Sequence, residues 1–215
     1  MNVELGGQPQ RVNTVFCIGR NYAAHAAELG NAVEPEPLVF LKPNAALLPV
    51  GEPIRLPSYS SDVHYECELV VLIGEGGDDI AEADALRHVA GYGIGLDLTA
   101  RDVQGEAKRR GLPWTKAKGF RGAACISSFV PATALDPAAA NFTLHVNGEL
   151  RQQGDSRLML YPVATIISYL SRTYGLQAGD LIYTGTPEGV GPLQPGDQLQ
   201  LALQHGPQAH WQVLA

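Results

Sequence analysis

The sequence predicts a mainly β fold with a few helices, of α+β class, and three observations carry that prediction. Glycine (24 residues) and proline (15) recur between short apolar runs, the punctuation expected of many strands and turns. Strand-like and helix-like segments do not alternate regularly, which disfavours a doubly wound parallel sheet. An Asn147-Gly148 pair stands between two strand-like runs and signals a tight hairpin.

Taken in order, Val15 to Ile18 reads as a strand, and Asn21 as the start of a helix over Tyr22 to Leu29 that stops at Gly30. Leu38 to Leu41 reads as a buried strand closed by Lys42-Pro43, and the proline-rich stretch from Pro49 to Pro57 as a loop or edge. The run from Glu66 to Ile73 is a strand, and Ile80 to Val89 a short helix. From Gly91 to Leu98 glycine alternates with larger residues, as in a strand that another backbone approaches closely. Thr99 and Asp102 stand at capping-box spacing before a helix that runs to about Arg110 and ends at Gly111. Thr143 to Val146 and the return through Leu150 form the hairpin. Pro162 to Tyr174 places Val163, Ile166, Ile167 and Leu170 on one helical face. The chain from Asp180 onward reads as strands around a glycine-rich loop, Thr184 to Pro192.

The chain has 215 residues, 45% of them hydrophobic and 17% charged, the composition of a globular protein able to bury a sizeable core. Its net charge of -7 argues against nucleic-acid and anionic-membrane partners, which need a cationic surface. No stretch approaches the ~20 apolar residues of a membrane span. Cys17, Cys67 and Cys125 are widely spaced and form no C-x-x-C pair, and the N-terminus lacks the pattern of a signal peptide. The expected location is therefore a reduced cytoplasm. Lys108, Lys116, Lys118, Arg101, Arg109 and Arg110 crowd into one short segment, which either draws a small anion or, for Arg109 and Arg110, is a solvated helix face.

The chemistry centres on Glu66 and Glu68. Alternate strand residues share a face, so the two carboxylates point the same way while the strand becomes apolar on both faces within two residues. Two like charges entering a core need a counter-ion, and a hard divalent cation such as Mg²⁺ or Mn²⁺ suits an all-carboxylate set. Solvated glutamates at a strand end are the competing reading. Asp97, at the end of the glycine-rich strand, is the favoured third ligand; Asp102 competes for that role. His25 and Glu28 lie three apart on one helical face, either as a water-activating dyad or as a solvated pair. The loop from Thr184 to Pro192 has backbone N–H groups to cradle an anion but lacks a P-loop Gly-Lys-Ser/Thr, and the Gly91 strand lacks G-x-G-x-x-G spacing.

Several ordered motifs then combine: Gly19-Arg20-Asn21-Tyr22 with His25 and Glu28, Phe40-Leu41-Lys42-Pro43, His64-Tyr65-Glu66-Cys67-Glu68-Leu69, Leu96-Asp97-Leu98-Thr99-Ala100-Arg101-Asp102-Val103-Gln104, Gly111-Leu112-Pro113-Trp114, Val146-Asn147-Gly148-Glu149 and Thr184 to Gly191. In that order they resemble the fumarylacetoacetate hydrolase family, most closely its short acylpyruvate hydrolase and oxaloacetate decarboxylase members. The resemblance implies a β-roll or sandwich with residues 1–12 as an N-terminal extension to a single catalytic domain over 13–215, usually assembled as a homodimer. It implies Mg²⁺ or Mn²⁺ held by Glu66, Glu68 and Asp97, and a His25–Glu28 dyad on a lid. It also implies Lys118 as a catalytic lysine and a substrate pocket lined by Arg20, Arg101, Gln104 and Thr186. Lys118 is followed by Gly119, where the family commonly has serine.

These parts imply a small anionic keto-acid substrate. The leading expectation is metal-dependent hydrolysis of the C–C bond of acylpyruvates to pyruvate and a carboxylic acid, with decarboxylation of oxaloacetate through the same pyruvate enolate as a secondary expectation. The alternatives are an isomerase, decarboxylase or keto-enol tautomerase acting on hydroxymuconate-like diacids or oxaloacetate, and a non-catalytic metal or keto-acid binding protein.

Overall fold

The computed structural model describes residues 1–28, 30 and 35–214. Its centre is a mixed sheet which, among the described residues, runs edge to edge through Leu38–Lys42, Val15–Gly19, Leu181–Tyr183, Cys67–Ile73, Val89–Asp97, Ala124–Ile126 and Leu47–Pro49, with Val130–Pro131 also paired to Val89–Asp97. Val15–Gly19 lies parallel to Leu181–Tyr183 and Ala124–Ile126 parallel to Leu47–Pro49; the other neighbours are antiparallel. Every residue of Cys67–Ile73 is buried, so the strand is covered on both faces, as its continuous apolar run requires.

A second sheet, ordered Glu149–Asp155, Asn141–Val146, Gln198–Leu203 and Gln208–Gln212, packs against the central strands. Its strands alternate buried and open positions, one face on the core and one toward water. The hairpin turn falls on Asn147 (φ 54°) and Gly148 (φ 82°), the pair of left-handed residues that a tight two-residue turn demands. Helices are few: α1 (Ala23–Glu28), α2 (Arg101–Arg110), α3 (Thr115–Lys118) and α4 (Val163–Tyr174). α4 buries Val163, Ile166, Ile167 and Leu170, the predicted face. The first residues form a hairpin, Asn2–Leu5 with Gln8–Arg11, tied to the body where the Phe129 N–H donates to the Glu4 carbonyl.

Four local expectations need correction. α1 begins at Ala23 rather than Asn21, because the buried Asn21 side chain is occupied elsewhere: its amide donates to the Tyr161 and Thr184 carbonyls and its oxygen accepts from the Tyr161 N–H. Leu29, the predicted end of that helix, lies outside the described residues. Leu38–Lys42 is an edge strand with Leu41 half exposed, not a buried one. The segment after Ile80 is a 3₁₀-helix over Glu82–His88; only Ala85 of it is buried, too little apolar surface to sustain an α-helix. The Thr99 capping box does not form. Thr99 is held in a short strand against His64, while the Asp102 carboxylate accepts from the Ser60 hydroxyl and the Ser61 and Val103 N–H groups.

Candidate metal centre and its cleft

Glu66, Glu68 and Asp97 converge because two neighbouring strands aim them at one point. Glu68 stands opposite Gly95, and the Asp97 N–H donates to the Glu66 carbonyl, so the three residues occupy one face of the antiparallel pair. All three are buried, and one oxygen of each lies within 4.8 Å of the others. Gly95 must be glycine there. A Cβ would sit 2.4 Å from the Cys125 carbonyl oxygen and 2.8 Å from the Tyr183 ring.

The chain supplies cations to this cluster from three directions. Lys118, at the end of α3, reaches Glu66 Oε2 (2.8 Å) and Asp97 Oδ2 (2.7 Å). Arg101, in the first turn of α2, holds Glu66 Oε1 at 2.5 Å and donates to Gln104 Oε1 at 3.0 Å. Lys42, buried at the end of an edge strand, lies 2.7 Å from Asp97 Oδ1 and donates to the carbonyls of Leu98 and Lys118. The consequences differ between the glutamates. Burial works against ionisation of Glu66, but Lys118, Arg101 and His25 outweigh it and hold its carboxyl well below the usual range. Burial, with repulsion from Asp97 and Glu66, pushes Glu68 well above its usual range, only partly offset by the Gly185 N–H at 2.7 Å and by Lys118. Burial lowers and the carboxylates raise Lys118, for a net rise.

Glu68 is thus the carboxylate that the chain's own cations compensate least, and added positive charge beside it gains most. Three buried carboxylates, all hard oxygen donors within reach of one ion, fit Mg²⁺ or Mn²⁺ in donor type and number.

The triad forms the floor of a narrow cleft of about 30 Å³ whose wall includes Arg20, His25, Arg101, Gln104, Lys118 and Thr186. Of the residues expected at the site, only Glu28 is absent from this lining. It touches the cleft through His25, whose Nδ1 lies 3.3 Å from Glu28 Oε2, while Glu28 Oε1 accepts from the Gly189 N–H at 3.1 Å. The glycine-rich loop does present N–H groups to anions, and those anions are the chain's own Glu68 and Glu28. Arg20 sits at φ 59°, a left-handed conformation that costs a non-glycine residue about 1–2 kcal/mol, so the adjoining contacts must hold it there. Asp102 lies apart, its carboxylate bonded to Ser60, Ser61 and Val103, and Arg109 and Arg110 pair with Glu106 on an exposed helix face.

Two supports escaped the sequence reading. Lys42 looked like a strand terminator, yet its amine is a second buried partner of Asp97 beside Lys118. Gln152, also buried, accepts from the Cys67 N–H between the two glutamates and donates to Thr186 Oγ1 and the Pro187 carbonyl, each at 2.9 Å. Thr186 in turn donates to the Cys67 carbonyl at 2.8 Å. The backbone between the glutamates is therefore clamped from both sides. The signal available in the sequence was a lysine and a glutamine at positions whose alternation points inward.

Comparison with known proteins agrees with this architecture. The chain is 48% identical over 190 residues to the Mus musculus protein named Oxaloacetate tautomerase FAHD1, mitochondrial, covering 88% of this chain and 86% of that one. It is 47% identical over 194 residues to Oxaloacetate tautomerase YcgM of Escherichia coli (strain K12), covering 89% of each. Its structure superposes with a TM-score of 0.95, at 40% identity, on the crystal structure of fumarylpyruvate hydrolase from Pseudomonas aeruginosa in complex with Mn²⁺ and pyruvate, over 100% of this chain and 95% of that one. Residues 14–213 match the family described as Fumarylacetoacetate (FAA) hydrolase C-terminal, and with that match the chain belongs to the fumarylacetoacetate hydrolase family.

Proposed function

We propose that the protein is a divalent-metal-dependent enzyme of 2-oxo acids that interconverts the keto and enol forms of oxaloacetate. The observation that carries this reading is the convergence, in one small cleft, of a buried carboxylate triad, two cations bonded to it and a His–Glu pair. The oxaloacetate tautomerase names of relatives near 47% identity support this reaction over the C–C hydrolysis expected first from the sequence. Glu66, Glu68 and Asp97 would hold Mg²⁺ or Mn²⁺, which when bound would supply Lewis-acid polarisation of a 2-oxo group.

The chain's residues do the rest. His25, with Nδ1 turned to Glu28, has Nε2 as the base that takes a proton from C3 as the C–H pair becomes the C2–C3 double bond and the C=O π pair moves onto the 2-oxo oxygen. The Glu28 carboxylate stabilises the imidazolium so formed, which returns the proton to oxygen; the proton count closes without a co-reactant. Lys118 and Arg101 stabilise the negative charge that develops between the two transfers.

Hydrolysis of acylpyruvates is the second reading, supported by the superposition on a fumarylpyruvate hydrolase and by the capacity of the same dyad to activate water. The homodimer and the reducing cytoplasmic location belong to this proposal too; the three buried cysteines are all free thiols. The deciding experiment follows the ultraviolet absorbance of enol-oxaloacetate and, separately, pyruvate release from acetylpyruvate, each with Mg²⁺ and with EDTA. Metal-dependent loss of the enol signal faster than the buffer-catalysed rate, abolished in His25→Gln, is the expected result. Pyruvate release without tautomerisation would replace the first reading with the second.

A further inference from the structure

Lys108 also lines the cleft, and neither reaction above gives it a part. It lies seven residues after Arg101 and four after Gln104 on α2, so the three side chains form a ladder along one helical face. Seven residues rise about 10 Å along the axis, which sets Lys108 at the outer end of the ladder while Arg101 is bonded to Glu66 at the inner end. Its amine stands over the Trp114 ring, 5.3 Å from the centroid, which limits where the charge can go.

The charges around this amine are mostly of its own sign. Partial burial, then Arg20, Arg101 and Lys118 in that order, hold Lys108 below the usual lysine range, with Glu66 opposing them. The neighbouring Glu106 is taken by Arg109 and Arg110, and among the described residues no carboxylate pairs with Lys108. At the floor, three carboxylates face Lys42, Arg101 and Lys118, so that the addition of a divalent cation leaves an excess of two positive charges. A 2-oxo monocarboxylate offsets one of them. A dicarboxylate brings a second negative charge, and Lys108 at the mouth, a further cation outside that count, stands in the lining to receive it.

Resting on the reading of the floor as the 2-oxo acid end of the site, we propose that Lys108 forms an outer anion subsite that receives the second carboxylate of a 2-oxo dicarboxylate. Lys108 thereby sets the preference for dianionic over monoanionic keto acids.

The test is calorimetric titration of the Mn²⁺-loaded protein with 2-oxoglutarate, a dianion that does not decarboxylate spontaneously, and with 2-oxobutyrate, a monoanion. Lys108→Met keeps the aliphatic stem and removes the charge; Lys108→Arg keeps the charge. The expected result is a loss of about three- to fivefold in 2-oxoglutarate affinity in Lys108→Met, the upper scale of one exposed ion pair, with 2-oxobutyrate unchanged within about 1.5-fold and Lys108→Arg close to wild type. Equal weakening of both acids in Lys108→Met, no weakening of either, or a wild type that binds the two acids alike would each overturn the subsite. The enol-oxaloacetate assay separates this outcome from the fate of the reaction. Discrimination without turnover keeps the subsite and removes the tautomerase reading. Turnover with a Lys108→Met variant that binds both acids like wild type does the reverse.

Discussion

The floor of the cleft and its rim are built by different means. The floor is carried by paired strands: Glu66, Glu68 and Asp97 are fixed by ladder bonds, by the Gln152 and Thr186 clamp and by buried cations. The rim is carried by helices, α1 with His25 and Glu28 and α2 with Gln104 and Lys108, while Arg101 at the inner end of α2 reaches the floor. α1 has six residues and holds its dyad through a 3.3 Å contact and one N–H from Gly189. A rigid floor suits a group that must meet three oxygens at once, since misplacing any of them loses the ion. A rim that moves protons needs one atom in reach at the right moment.

The largest expected effects put that division to the test directly. Glu68→Ala should lower Mn²⁺ affinity by at least about 100-fold by calorimetry, because even an outer partner of a metal ligand is worth about 10- to 100-fold. Glu28→Gln should leave Mn²⁺ affinity within about threefold and lower turnover by about 10²- to 10⁴-fold, the range of general acid–base catalysis. Comparable loss of Mn²⁺ affinity in both variants would erase the distinction between floor and rim.

A second contrast is read in stability. Lys42 and Asp97 have almost no exposed side-chain surface, and removal of one partner strands a charge in the core. Lys42→Met should destabilise the metal-free protein by about 3–5 kcal/mol in urea unfolding. Lys108→Met, at the open mouth, should stay within about 0.5 kcal/mol of wild type. A Lys42→Met protein as stable as Lys108→Met would mean that Lys118 alone suffices for Asp97.

The two regions also differ in how far the sequence disclosed them. Glu66 and Glu68 were legible because charged residues at the head of an apolar strand are a local anomaly, and Asp97 because it closes a glycine-alternating strand. The Asn147-Gly148 turn was legible because its φ angles are dictated by the two residues themselves. Lys42 and Gln152 were legible only as inward-facing polar positions, since what makes them functional is a partner far away in the chain: Gln152 meets Cys67 across 85 positions, and Lys42 meets Leu98 across 56. The capping box failed for the same reason. Asp102 has a local rule to follow, but Ser60 and Ser61, 42 and 41 positions earlier, reach its carboxylate first. Periodicity and charge anomalies carry local information; competition among distant partners does not show in them.

Glycine substitutions give a finer version of the comparison. In the floor, Gly95→Ala drives a methyl group against the Cys125 carbonyl and the Tyr183 ring, both held by the sheet, and should cost about 1–3 kcal/mol. It should also weaken Mn²⁺ binding, because Gly95 stands directly opposite Glu68.

The smallest effect has the opposite sign. Gly105 lies in the interior of α2 at an exposed position, and an added Cβ meets nothing within 4 Å. There glycine only adds freedom to the unfolded chain, so Gly105→Ala should stabilise by about 0.5–1 kcal/mol and raise the melting temperature by about 1–4 °C. Because the methyl group touches neither Arg101, Gln104 nor Lys108, enol-oxaloacetate turnover should change by less than about twofold. If Gly105→Ala stabilises as expected but turnover falls well beyond that, the rim must bend at Gly105 during the reaction, and the difference between floor and rim becomes one of motion as well as of construction.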